Sequence, residues 1–163
     1  MFALAESSVT CRAAPARVSH DFVVTDGEQP SSDGRAGWPH AFVEKDWVDV
    51  RDRFATAFAR YRDGIYLVDI LDTVVANGFM SKLAVTTSMH DLVIVDRPIP
   101  TPPFDVLIVR APTSNHPPRE GNVLIEYLAV SNRNAAVERP AAEAVPLFWR
   151  FVQAKLGISP PVL

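Results

Sequence analysis

The chain has 163 residues, with 16 Lys and Arg against 19 Asp and Glu, for a net charge of −3. Apolar residues make up 48% and charged residues 21%, a globular balance that excludes a wholly disordered chain. General nucleic-acid binding is disfavoured, because no basic excess exists to neutralise phosphates.

At this length, folding buries roughly two-thirds of the surface of the unfolded chain, so the core needs no metal or disulfide staple. Cys11 is the one cysteine, which excludes an internal disulfide and a Cys-rich zinc cage and suits a reducing compartment. No apolar run approaches the roughly 20 residues that span a bilayer. The start, Met1-Phe2-Ala3-Leu4-Ala5-Glu6, lacks the basic and apolar regions of a secretory signal. A cytoplasmic protein without membrane contact is expected.

Residues 1–37 read as a poorly ordered N-terminal segment ahead of a single α+β domain at 38–163. Within the segment, Val18–Thr25 has strand character and Glu28–Gly37 is a mobile loop rich in Gly, Ser, Asp and Pro. The clearest element is a helix over Asp46–Arg62. Trp47, Val50, Phe54, Phe58 and Tyr61 form its apolar stripe, Asp46 caps it, Asp49 and Arg53 are spaced to pair, and Gly64 ends it. Ile65–Ala76 fits either periodicity: length favours a helix and β-branching a strand, with the balance slightly to the helix.

Four short strands follow at Lys82–Thr87, Asp91–Val95, Phe104–Arg110 and Asn122–Val130, bounded by Pro, Gly or Asn. Asp105–Val109 and Val123–Ile125 are apolar on both faces, as in central strands covered twice. A last helix has Pro146 at its first position and Leu147, Phe148, Phe151, Val152 and Leu156 as its stripe, with Gly157 beyond its end. Pro140–Val145 reads as a separate preceding turn. The 14 prolines, about 9% against an average near 5%, cluster at Pro98–Pro103, Pro112–Pro118 and Pro160-Pro161, as rigid connections or polyproline ligands. This order implies an α+β fold, with a mainly antiparallel sheet of about five strands and two or three helices on one face.

No phosphate loop, nucleophile elbow, zinc-protease motif or EF-hand is present. Four histidines, His20, His40, His90 and His116, lack ligand spacing, so no histidine metal site is expected. Cys11 has no base beside it, and Asp69 with Asp72 reads as a solvated acidic face. Asp105 opens one central strand and Glu126 lies late in the next, so the two carboxylates could meet at one sheet edge and hold Mg²⁺, with Glu44 on a preceding helix assisting. The pair resembles the D…(D/E)-x-K pattern of restriction-endonuclease-like folds, with Leu128 where that pattern has Lys; Arg139 or Lys155 would have to supply the cation. The resemblance implies a metal-dependent phosphodiester hydrolase. The plainer reading has both acids facing solvent or pairing with Arg110 or Arg119.

The preferred reading is a non-enzymatic protein-binding module: an adaptor, an inhibitor or immunity-type protein, or an assembly subunit. Trp38 stands in a loop beside Pro39 and His40, as a partner anchor or as a lid folded over the sheet edge. With His40 and His116 it makes the expected partner-binding set, needing no cofactor. Mild acidity suits a basic protein partner, and pairing of the Val18–Thr25 edge between copies offers a route to a homodimer.

Overall fold

Asp46 caps the first helix as expected: its Oδ1 accepts from the amides of Val48 (2.8 Å) and Asp49 (3.1 Å). The computed structural model describes residues 36–60 and 62–161. Helix α1 (Trp47–Phe58) buries Trp47, Val50, Phe54 and Phe58, while Tyr61, Val18–Thr25 and most of the expected N-terminal loop lie outside the described residues. The helix stops short of Arg62, and a 3₁₀ turn at Arg62–Gly64 leads into α2 (Ile65–Ala76).

Gly64 corrects the expectation that it ends α1. It caps the start of α2, and a Cβ there would lie 2.3 Å from Phe58 Cδ1. Glycine is needed because the Phe58 ring occupies the space of a side chain. The ambiguous segment is a helix that buries Tyr66, Leu67, Val68, Ile70, Leu71 and Val74. Its burial outweighs the weak intrinsic preference of β-branched residues for strands. Asp49 and Arg53 form no ion pair; instead Arg51 donates to Asp72 of α2 at 2.7 Å. An exposed i,i+4 pair is worth only a few tenths of a kcal/mol, too little to dictate side-chain position.

The sheet runs β1 (Leu83–Ser88), β2 (Asp91–Asp96), β3 (Val106–Val109), β4 (Asn122–Leu128) and β5 (Ala135–Pro140), each antiparallel to the one before. The architecture is the expected α+β type, although β5 is a strand the pattern conceals: Ala-Ala-Val-Glu-Arg-Pro has a single β-branched residue. A 3₁₀ turn at Ala141–Glu143 then precedes α3 (Ala144–Leu156), with Pro146 at its third position rather than its first.

Alternation along each strand separates two apolar layers. Leu83, Val85, Leu92, Ile94, Leu107, Val109, Val123 and Ile125 join the buried residues of all three helices in one core. The opposite face carries Ala84, Val93, Val95, Val106, Ile108 and Leu128, packed with Phe104, Trp38, Phe42 and Ile99. Central strands are therefore covered on both sides, as their sequence suggests. Part of the second cover is the segment before α1, which bridges to Phe104 at Trp38 and to Val85 at Lys45. Among the described residues no helix is long and apolar enough to cross a membrane.

Candidate functional site

The non-helical face of the sheet ends in a cavity of about 260 Å³ lined by three separate stretches of chain. Gly37–His40 forms one wall, Ser88, Met89 and Asp91 another, and Arg110 with Asn115 and His116 the third; Ile108 and Leu128 contribute apolar floor. Trp38, His40 and His116, far apart in sequence, are thus brought together.

Backbone chemistry places Trp38. Its amide donates to Phe104 O at 2.7 Å, and the Phe104 amide returns a bond to Trp38 O at 3.3 Å. Gly37 makes this approach possible: its φ is +69°, and a Cβ would lie 2.8 Å from both Phe104 O and Val130 Cγ2. The indole is half-buried against the second apolar layer and meets the exposed His40 ring edge-on, with centroids 6.2 Å apart. Trp38 thus folds over the sheet, as the lid considered for it would, and also lines the cavity.

Alternation also brings Asp91, Arg110 and Glu126 to this face. Arg110 donates from Nη1 to Asp91 Oδ2 at 2.9 Å and from Nε to Glu126 Oε2. Asp91 is otherwise engaged: Oδ1 accepts from the Ala111 amide at 2.8 Å, and Oδ2 from Ser114 Oγ at 2.9 Å. Ser114 Oγ in turn accepts from the His116 amide at 3.2 Å, tying the loop that carries His116 to the buried carboxylate. From the helical side, Tyr66 of α2 donates its hydroxyl to Arg110 O at 2.6 Å. Burial opposes the charge on Arg110, but Glu126 and Asp91 more than reverse this and raise its pKa. The guanidinium is therefore a fixed cation, 13% exposed, held by two carboxylates.

Asp105, Glu126 and Glu44 do not converge. Glu126 pairs in register with Ile108, so Asp105, three residues before Ile108, belongs to the opposite face. Glu126 engages Arg110, one of the plainer partners considered for it, and Asp105 accepts from Tyr127 Oη at 2.5 Å and the Val130 amide at 2.8 Å. Glu44 is not on a helix: it precedes the Asp46 cap in extended chain and pairs with Arg97. These carboxylates form no metal centre, and no cluster of three metal-ligating side chains occurs among the described residues. His20 and Cys11 lie outside the described residues.

Sequence reasoning missed Met89, Asp91 and Arg110 as residues lining this cavity. Met89 turns the β1–β2 hairpin with φ +56° and is 68% exposed beside the cavity. An unbranched apolar residue at a turn between two strands was the available signal. The Asp91–Arg110 pair required the β2–β3 register, which single-strand patterning does not supply. Beyond the hairpin, His90 accepts from or donates to Thr113 Oγ1 at 2.8 Å beside a second, more apolar cavity of about 410 Å³. Three histidines therefore gather at one end of the sheet.

In comparisons with known proteins, no family model, curated relative or solved structure matches the chain.

Proposed function

We propose that the protein is a non-enzymatic protein-binding module that meets its partner with the sheet end bearing Trp38, His40, Met89 and His116. The observation that carries this reading is the convergence of three chain segments on one cavity, with an exposed methionine and a half-buried tryptophan at its rim. Aromatic side chains and Met are enriched in interface cores, because they bring large contact area. The buried Asp91–Arg110–Glu126 network fixes the turns that present them, which lowers the ordering cost of association. A net charge of −3 favours a basic partner through long-range steering. The role is that of an adaptor, inhibitor or assembly subunit working in the cytoplasm.

The test is affinity capture from native lysate followed by titration of the purified partner against wild type, Trp38→Ala and Met89→Asp. A stoichiometric partner whose affinity falls at least about tenfold in both variants is expected for anchors at an interface centre. A partner indifferent to both substitutions, or no protein partner, overturns the reading.

A further inference from the structure

We infer that the apolar cavity of about 410 Å³ on the helical side of the β1–β2 hairpin binds an organic ammonium ion, its charge against the carboxylate of Asp63 and its hydrocarbon body within. This cavity is separate from the one beneath Trp38, so the inference stands independently of the protein-binding reading.

Its walls come from elements that meet only in the folded chain. Ala57 and Phe58 belong to the last turn of α1, Asp63 and Gly64 to the turn into α2, and Pro112 and Thr113 to the loop after β3. Ala57, Phe58 and Pro112 supply apolar surface with a few polar groups among them, the make-up of small-ligand sites in this size range. Phe58 is fixed in place: its ring meets Phe54 edge-on with centroids 5.8 Å apart, and a Cβ on Gly64 would strike it. Thr113 Oγ1 and His90 Nδ1 lie 2.8 Å apart and hydrogen-bonded, which joins the hairpin to the β3–β4 loop. Walls already tied together lose little freedom when a ligand enters.

Charge selects the ligand. Asp63 is exposed and forms no ion pair or hydrogen bond among the described residues, and no lysine or arginine among them lines the cavity. Two helix ends meet here with opposite polarity: the C-terminus of α1, which has no basic residue in its last turn, and the N-terminus of α2. Their partial charges offset each other, which leaves the full charge of Asp63. Beyond the hairpin, Asp91 and Glu126 outnumber Arg110 by one negative charge, so no net cation stands behind the wall. The charge of Asp63 is felt in the interior: burial raises the phenol pKa of Tyr66, and Asp91 and Asp63 add to the rise. A carboxylate ligand would meet a like charge. An ammonium gains an ion pair at the rim and a favourable contact with the Phe58 ring.

The probes are 2-phenylethylamine, 2-phenylethanol and phenylacetate, similar in shape and differing in charge. Each is titrated into the full chain at neutral pH and followed by amide chemical shifts. The expected result is saturable binding of 2-phenylethylamine with shifts around Ala57, Gly64 and Thr113, at least about fivefold tighter than 2-phenylethanol and weakened by added salt. Asp63→Asn removes that preference, whereas Asp69→Asn, at an exposed position of α2 outside the cavity, keeps it. Ala57→Phe, at an exposed helical position, fills the cavity and weakens amine and alcohol alike, by at least about tenfold. 2-Phenylethanol or phenylacetate binding as tightly as the amine, equal effects of the two aspartate variants, or no saturation overturns the proposal. Partner capture by Trp38→Ala, read in parallel, tests the protein-binding surface alone. Where 2-phenylethylamine displaces the captured partner, the ammonium is a lysine side chain of that partner; where it binds without displacing it, a free amine is the ligand.

Discussion

Glu126 of β4 and Asp105, the residue just before β3, lie on opposite faces of the sheet, because an odd offset separates Asp105 from Ile108, the residue opposite Glu126. Each carboxylate serves the fold in its own way. Glu126 holds Arg110, and Asp105 ties Tyr127 Oη and the Val130 amide to the start of β3. Two acids on opposite faces cannot share one cation. Millimolar Mg²⁺ is therefore expected to leave the melting temperature of wild type and Asp105→Ala unchanged, while Asp105→Ala itself loses about 1–3 kcal/mol in urea unfolding. A Mg²⁺-dependent rise in melting temperature that Asp105→Ala abolishes would contradict this assignment.

Removing Arg110 should be far more damaging than removing its whole network. Arg110→Met strands two buried carboxylates, a change that typically costs about 3–5 kcal/mol. Adding Asp91→Asn and Glu126→Gln to the same chain removes the stranded charges and should recover most of the loss. Urea unfolding of the single and triple variants reads the difference, and additive losses would show that the three groups do not act as a unit.

Gly37 is predicted to couple the fold to the surface. Alanine there meets both a left-handed φ and a Cβ 2.8 Å from Phe104 O, a combination costing about 1–3 kcal/mol. The strain is relieved by releasing the Trp38–Phe104 bridge, since the helical core lies on the other face of the sheet. Gly37→Ala should therefore expose Trp38, seen as a red shift in tryptophan emission, while near-native helix content persists. An unshifted spectrum would show that the bridge tolerates a side chain.

Alkaline pH supplies a separate test. Burial raises the phenol pKa of Tyr66, with Asp91 adding to the effect, and raises that of Tyr127, which also donates to Asp105. A folded-state pKa above the unfolded value contributes stability that is intact below about pH 10 and lost as pH climbs toward the folded-state value. Stability should thus fall from pH 10 upward, and less steeply in Tyr66→Phe. A Tyr66→Phe variant with the same alkaline slope as wild type would place the proton linkage elsewhere.

Asp69 gives the opposite sign at the acid end. Although Asp69 is exposed, partial loss of its hydration and the neighbouring Asp72 raise its pKa, so its charged form opposes folding once pH rises through the carboxylate range. Asp69→Asn is expected to raise the melting temperature at pH 7 and to change little at pH 3. A lower melting temperature at pH 7 would show that its charge stabilises the fold.

Periodicity made the α1 stripe legible: Trp47, Val50, Phe54 and Phe58 are all buried. The doubly apolar β3 was legible as a central strand for the same reason. What stayed hidden depended on relations between elements. Gly64 reads as a helix terminator until Phe58 is seen to fill the space beside it. Strand β5 reads as loop because its alanines bury little area and its Glu and Arg dilute the alternation. The candidate site was half legible. Trp38, His40 and His116 stood out as residues lacking an obvious core role, whereas Asp91 and Arg110 come together only once antiparallel pairing sets strand against strand.

The most direct measurement is the affinity of the captured partner for wild type, Trp38→Ala, Met89→Asp and Val48→Asp. Val48 is a comparably exposed apolar residue on α1 (45%) that does not line the cavity. An interface at this end of the sheet predicts at least about a tenfold loss for Trp38→Ala and Met89→Asp, with Val48→Asp binding as wild type does. Equal losses in all three, or a loss confined to Val48→Asp, would contradict that placement.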